Sequence, residues 1–321
     1  MKAIVFIVGG IVLELPLLAG AQVVPGDAAV RAQWFTGSLE APSPAFPKAG
    51  IFAVEPYFIY THNTGGYDDN RTRQSVADAG AQSAAVILLK YALTDRISIQ
   101  AIPLVAHSWN DESSSNGVGD LPVEIEYRFN DENDRTGFPS VTASLGVNLP
   151  IGHYDRLRSP LDGLGNGAYT VKEGLLAQSL FDTWGHHPVR IRLYGAAYET
   201  LSDVSVIGQS VYGTSDGFSG RATRRFSSQL GVGAGYALDQ QWVLAFDLVQ
   251  RFGNGFHLQG TNIGPASVNV STSGNSSTSV ATAVEYNFSG SIGVIAGVEF
   301  SVAGRNASSY VAPQIAISMS F

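Results

Sequence analysis

The 321-residue sequence contains no cysteine, which removes a disulfide framework, thiol catalysis and thiolate metal sites together. Charge is scarce as well: Asp, Glu, Lys and Arg make up 14% of the residues, a poor profile for a helical enzyme. The charge that is present leans acidic, at −8 net, and no basic run exceeds Arg224-Arg225. Phosphate binding needs clustered cations, so this argues against nucleic acid as a partner. Beyond the N-terminus, no window approaches the roughly 20 apolar residues that a spanning helix requires.

What is abundant is glycine, at 36 residues, with aromatics at 10%, a composition that suits a β protein. The first residues read as a secretory signal over 1–21: Lys2, the apolar stretch "AIVFIVGGIVLELPLLAG", and the small-residue site Ala19-Gly20-Ala21, with cleavage expected before Gln22. Glu14 is a departure from the ideal pattern. The mature chain is therefore expected to be exported, and either soluble or a β-barrel.

After residue 50 the dominant signal is a period of two. The last segment shows it clearly, with Ile315, Ile317, Met319 and Phe321 alternating with Gln314, Ala316, Ser318 and Ser320. About twelve such segments, each long enough for a tilted membrane-crossing strand, predict a transmembrane antiparallel outer-membrane β-barrel over 51–321. Residues 204–212, "VSVIGQSVY", could add a hairpin and raise the count to fourteen. The connections alternate between short turns, such as Thr94-Asp95, Asp239-Gln240 and Ser289-Gly290, and long polar loops, such as "NTGGYDDNRTRQSVADAGA", "WNDESSSNG" and 253–277. That asymmetry matches periplasmic turns and extracellular loops, and an even count places both termini in the periplasm.

The faces agree. One row carries residues such as Phe52, Phe58, Ile99, Ile125, Leu244, Phe246, Val284 and Phe300. The other carries Glu55, Lys90, Glu124, Glu126, Arg128, Arg190, Arg192, Asp247, Arg251, Glu285 and Glu299, the candidate lumen-lining set. An unpaired charge in hydrocarbon costs several kcal/mol, so this segregation is expected if one face meets acyl chains. Either a solute-selecting pore lining or a buried ion-pair network accounts for the inward charges. The small inward residues Gly146, Gly231, Gly233, Gly235, Gly293 and Gly297 leave room for a passage. Tyr127, Phe129, Tyr286 and Phe288 lie where an aromatic girdle belongs. Phe321 is expected to close the last strand against the first at the periplasmic interface, as a C-terminal signal for the barrel-insertion machinery. Residues 22–50, rich in proline, form either a periplasmic extension or a lumen plug, with Trp34 and Phe35 as its apolar anchors.

Pro56 and Pro103 fall inside strands on the outward face and each removes a ladder hydrogen bond, so a bulge or a kink that opens the wall sideways is expected there. His107-Ser108 raises a lipase possibility. Adjacent strand residues point to opposite faces, however, so they cannot meet as base and nucleophile. His186-His187 lacks further ligands for a metal. No catalytic, metal or cofactor site is expected.

The stretches "NGVGDLPVEIEYRFNDEND" (116–134) and "VTASLGVNLPIGHYDRL" (141–157) carry a Gly119-Asp120-Leu121 strand opening, a Tyr127-Arg128-Phe129 strand end and a Leu149-Pro150-Ile151-Gly152 junction. With "FTGSLEAPSP" and "EPYFIYT", they resemble the outer-membrane family of putative transporters of the MetA pathway of phenol degradation. The resemblance implies a non-enzymatic channel for passive uptake of small hydrophobic or aromatic compounds in a Gram-negative outer membrane, with lipid and an apolar solute as partners. A structural or adhesive barrel is the alternative, and a lipid-modifying enzyme a remote one.

Overall fold

The computed structural model describes residues 5–8, 11–14, 33–42, 48–76, 79–132, 138–183, 187–263 and 267–321. Most of the expected secretory signal, with its expected cleavage site, lies outside them; Val5–Val8 and Ile11–Glu14 pair antiparallel. The barrel strands are β1 (Phe52–Tyr67), β2 (Ala81–Ala92), β3 in two parts (Ile97–Ala101 and Leu104–Trp109), β4 (Leu121–Asn130), β5 (Ser140–Leu149) and β6 (Thr170–Phe181). They continue as β7 (Val189–Thr200), β8 (Phe226–Ala237), β9 (Trp242–Gly253), β10 (Asn275–Asn287), β11 (Ile292–Arg305) and β12 (Ala307–Ser320). Each pairs antiparallel with its chain neighbours, and β12 pairs with β1, so the sheet closes into a barrel of twelve strands.

Local sequence explains the faces. Along β9, Trp242, Leu244, Phe246 and Leu248 are exposed, while Val243, Ala245, Asp247 and Val249 are buried. The same alternation recurs around the wall, with Phe58, Ile125, Leu145, Val284 and Ile315 outward. A water-soluble monomer does not carry such a continuous apolar belt; hydrocarbon is the solvent that fits it. Closure is the physical requirement, because an open sheet edge has no hydrogen-bond partner in lipid. At the short-turn end, Trp242 and Tyr286 meet at 4.7 Å, Tyr286 and Phe288 at 4.9 Å, and Tyr127 and Phe129 at 5.1 Å. Phe321 exchanges two backbone hydrogen bonds with Phe52, at 3.1 and 2.9 Å, and its ring is exposed.

Several expectations need correction. Val204–Ile207 does form a strand, but it pairs with Ser219–Thr223 in a separate four-stranded sheet completed by His257–Thr261 and Ser267–Ser271. It adds nothing to the barrel, because Val204 and Val206 face a loop-borne core with Tyr212, Phe218, Ala222 and Leu258. Much of "WNDESSSNG" is strand, since Ser114–Val118 pairs with Leu104–Trp109. A polar segment with no greasy face leaves no periodic trace, and backbone pairing alone defines it. β1 likewise runs on to Tyr67, and Arg73–Ser75 folds back onto it. Finally, Glu173 and Glu199 are exposed on the outer face in the extracellular third of β6 and β7, outside the otherwise apolar row.

Candidate functional site

The lumen is occupied from below. Gln33 Nε2 donates to the carbonyl of Asp239 at 2.8 Å, and Trp34 packs against Gly290, both at short-turn connections. From there the segment rises. Thr36 N–H donates to Glu285 Oε2 at 2.7 Å, and Leu39 N–H and Ala41 N–H donate to the two oxygens of Asp247 at 3.1 and 3.3 Å. Arg190 donates to the Gly37 carbonyl at 2.6 Å and Arg192 to the Ala41 carbonyl at 3.1 Å. Residues 48–50 are back at the same end, where Ala49 N–H reaches Asp95 at 2.9 Å and Gly50 N–H reaches the Ala92 carbonyl at 2.8 Å. Residues 33–42 thus run from the short-turn rim to mid-barrel, and residues 48–50 lie at that rim again. An irregular segment satisfies none of its own backbone groups, so the inward charges of β7, β9 and β10 do so instead.

The glycines fit the same account. A Cβ on Gly233 would meet Ala41 Cβ at 2.7 Å, one on Gly235 would touch the Phe35 ring at 3.4 Å, and one on Gly293 would collide with the Thr36 hydroxyl. The room read as a passage is at these positions filled by the inserted segment. Phe35 in turn lies 4.3 Å under the Arg190 guanidinium.

All eleven candidate charges lie off the outward row, and all but Arg128 fall in two groups. On β2, β4 and β6, Lys90 pairs with Glu126 at 2.8 Å and Lys172 with Glu124 at 2.6 Å, and Ser98 donates to Glu126 at 2.9 Å. Around the inserted segment, Arg190 pairs with Glu285 at 3.1 Å, and Arg251 bridges Glu40 at 2.6 Å and Glu299 at 3.2 Å. Tyr57 donates to Glu55 at 3.0 Å. Arg128 stands apart, at the short-turn rim, reaching the Asp95 carbonyl at 2.7 Å and Asp131 at 3.3 Å. Buried charges persist only when they are compensated, here by ion pairs or, as for Glu55 and Asp247, by hydrogen bonds.

Pro103 sits opposite Ile87, whose N–H donates to the Pro103 carbonyl at 3.0 Å; the return bond has no donor. The β2–β3 register is unbroken across it, from Leu89↔Ala101 to Val86↔Leu104. The irregularity lies on the other side, because between Ala101↔Val123 and Val105↔Val118 the β4 side carries one residue more than β3. Pro56 is the other cross-strand neighbour of Ile87. At its level the β1–β12 ladder skips from Ala316↔Tyr57 to Met319↔Val54, and near Pro313 it skips from Val311↔His62 to Gln314↔Ile59.

At the long-loop end, six connections line a cavity of about 760 Å³. Its lining includes the edge-to-face pair Tyr212 and Phe256, 5.1 Å apart, together with Arg224 and Asp120. Gly165 belongs to the wall because its Cα lies against Gly152 backbone where a Cβ could not fit. Asp120 accepts Gly152 N–H at 3.1 Å and Asn166 N–H at 2.9 Å; burial pushes its carboxyl up from the usual value of 3.8, against the pull of those bonds. Burial likewise pushes the Tyr212 phenol up to about 12, with Arg224 opposing. Asp120 and Gly152 belong to the strand-opening and junction motifs, whereas Arg224, Asn254 and Phe256 carried no sequence signal. For the inserted segment the sequence offered a lumen plug as one of two readings of 22–50, with Trp34 and Phe35 as anchors, and the described part of it, 33–42, stands in the lumen.

His107 and Ser108 do point to opposite faces: His107 Nδ1 bonds Asn116 Oδ1 at 2.9 Å, whereas Ser108 is buried and accepts from Gln82 at 2.9 Å. His187 Nδ1 lies 3.0 Å from the Ala237 carbonyl, and His186 is outside the described residues.

No protein-family model matches the sequence, and no curated protein is similar to it. Among solved structures, an outer membrane channel from Pseudomonas putida F1 is similar at a TM-score of 0.61, with 18% identity over 87% of this chain and 99% of that one. This shows a shared fold: the chain is an outer-membrane-type barrel. A deletion variant of the monoaromatic hydrocarbon channel TodX (TM-score 0.48, 11% identity, 92% of this chain and 99% of that one) and the transport unit of the autotransporter AIDA-I from Escherichia coli (0.47, 11%, 89% and 95%) align more loosely, and nothing below rests on them.

Proposed function

We propose that the protein is an outer-membrane channel for passive uptake of small hydrophobic or aromatic compounds, exported by its cleaved signal and inserted through the strand that ends in Phe321. The motif resemblance to the family of putative transporters of the MetA pathway of phenol degradation supports this reading, and so does the fold shared with a solved channel. The observation that carries it is the arrangement along the barrel axis: an outer cavity walled partly by Tyr212 and Phe256 lies above a lumen whose inner half is filled by 33–42. A wide water-filled pore is not what this arrangement offers. The outward row Pro56–Ile87–Pro103, where the ladder has lost donors, marks a sideways route into the bilayer for an apolar solute.

The density of inward ion pairs favours a second reading, a structural barrel without transport. Proteoliposomes separate the two. Uptake of phenol well above that of an equally small sugar is expected; no uptake of either by folded, heat-modifiable protein would leave the structural reading. Hydrolysis of phospholipid lost on His107→Ala would instead revive the lipid-modifying enzyme.

A further inference from the structure

The outer cavity contains more than an apolar platform. Its two acidic side chains are already engaged. Asp69 takes Arg305 Nη2 at 2.7 Å and Asn306 Nδ2 at 3.0 Å, and Asp120 takes the two backbone N–H groups described above. Arg224, in contrast, forms no ion pair among the described residues; it is exposed, lines the same cavity and hydrogen-bonds only the Tyr212 side chain, which holds it beside the ring pair. The side-chain amides of Asn254 and Asn275 line it too, with no hydrogen bond to another described residue. A guanidinium with no carboxylate partner, two amides with no side-chain hydrogen bond to another described residue and an edge-to-face aromatic pair therefore share one space of about 760 Å³, within the usual range for a small-molecule site.

These groups ask different things of a ligand. The Tyr212 and Phe256 rings favour a flat apolar body. The guanidinium favours a planar anion, and its fork matches a carboxylate with two parallel bonds. A purely hydrocarbon solute placed here would strip water from Arg224 and give nothing back. A sugar would satisfy the amides but leave the cation without a counter-charge.

We propose that the outer cavity is a capture site for aromatic carboxylates, with Arg224 holding the carboxylate and Tyr212 and Phe256 holding the ring. This rests on the channel reading only for its purpose; the binding itself is independent of flux. Such acids are fully ionised at neutral pH, so they cannot enter lipid as they are, and a charged docking point at the mouth selects them from solution.

The test uses the purified full-length protein in detergent, titrated calorimetrically with benzoate and with benzyl alcohol, its neutral counterpart of similar shape. Benzoate is expected to bind more tightly than benzyl alcohol and to weaken as salt is raised. Arg224→Gln is expected to weaken benzoate about 10-fold or more, by loss of a charge-assisted pair, and to leave benzyl alcohol unchanged. Phe256→Leu is expected to weaken both ligands. Equal affinity for the two, or benzoate binding indifferent to Arg224→Gln, would overturn the site. Should Arg224→Gln lose its heat-modifiable gel shift, Arg224→Lys replaces it: a drop for benzoate alone supports the fork, and no change overturns it. Proteoliposome uptake of benzyl alcohol by the same variants tests the channel reading separately, since a capture site can survive in a barrel that conducts nothing.

Discussion

Two stretches of the wall are built from the same alternating strands and differ in what interrupts them. From β7 to β10 the ladders run without a gap: β7 pairs with β8 from Val189↔Tyr236 to Glu199↔Phe226, and β9 with β10 from Trp242↔Tyr286 to Gly253↔Asn275. This wall turns Arg190, Arg192, Asp247 and Glu285 toward the inserted segment. From β12 through β4 the wall is broken by Pro313, Pro56 and Pro103, by an extra residue before Leu121, and by a register shift near Tyr310. The first wall holds a plug and the second is short of donors. The difference teaches that a closed barrel can keep unbroken ladders where charges must be positioned and confine its interrupted ones to the opposite wall.

The comparison can be broken most severely at Arg190. Arg190→Leu removes the partner of fully buried Glu285 and the donor to the Gly37 carbonyl, at an expected cost of about 3–5 kcal/mol, read as a lower urea midpoint for unfolding in detergent. The double variant Arg190→Leu/Glu285→Leu should recover most of that loss; if it does not, the pair is not what holds this wall together.

Asp247→Ala comes next. It leaves the Leu39 amide without its acceptor, at about 1–3 kcal/mol for a buried donor, and leaves the Ala41 amide with Ser38 Oγ alone. A cysteine placed at Ser38 should then react with a thiol reagent many times faster than in the parent, and unchanged reactivity would mean that the segment is held elsewhere.

On the weak wall the sign reverses. Pro56→Ala and Pro103→Ala each return a donor to the ladder and should raise stability by about 1 kcal/mol. Phenol uptake should fall at the same time, and a double variant that is more stable yet transports as before removes the sideways route.

The smallest effect concerns the β11–β12 turn, where hydrogen bonds from Asn306 and Arg305 hold the exposed Asp69 carboxyl below its usual value. A depressed carboxyl contributes stability that is present above its unfolded value of 3.8 and lost as pH falls through the folded one. At matched pH, pepsin nicking of residues 68–76 in the parent should therefore approach that of Asp69→Asn as pH falls below about 4 and stay below it at higher pH.

Legibility varied by region. The alternation in β9 and β12 was enough to assign faces, and those faces sent Glu124, Asp247 and Glu285 inward before any partner was known. Their partners were not legible. Thr36 and Glu285 are separated by 249 residues and Leu39 and Asp247 by 208, and nothing in either local sequence names the other. Ser114–Val118 was missed because a polar strand has no period to read, and Val204–Ile207 was placed near the wall because its period is real but its greasy face serves a different core.

The sequence by itself determined which side of each ribbon meets hydrocarbon, because a period of two is set by adjacent residues and lipid penalises every exception. It thereby determined closure, since lipid tolerates no open edge. Only the tertiary structure decided that the segment 33–42 stands inside the barrel and that loops far apart in the chain wall one cavity with Arg224. Such contacts exist only once the first strand has met the last and has fixed which distant residues share the enclosed space.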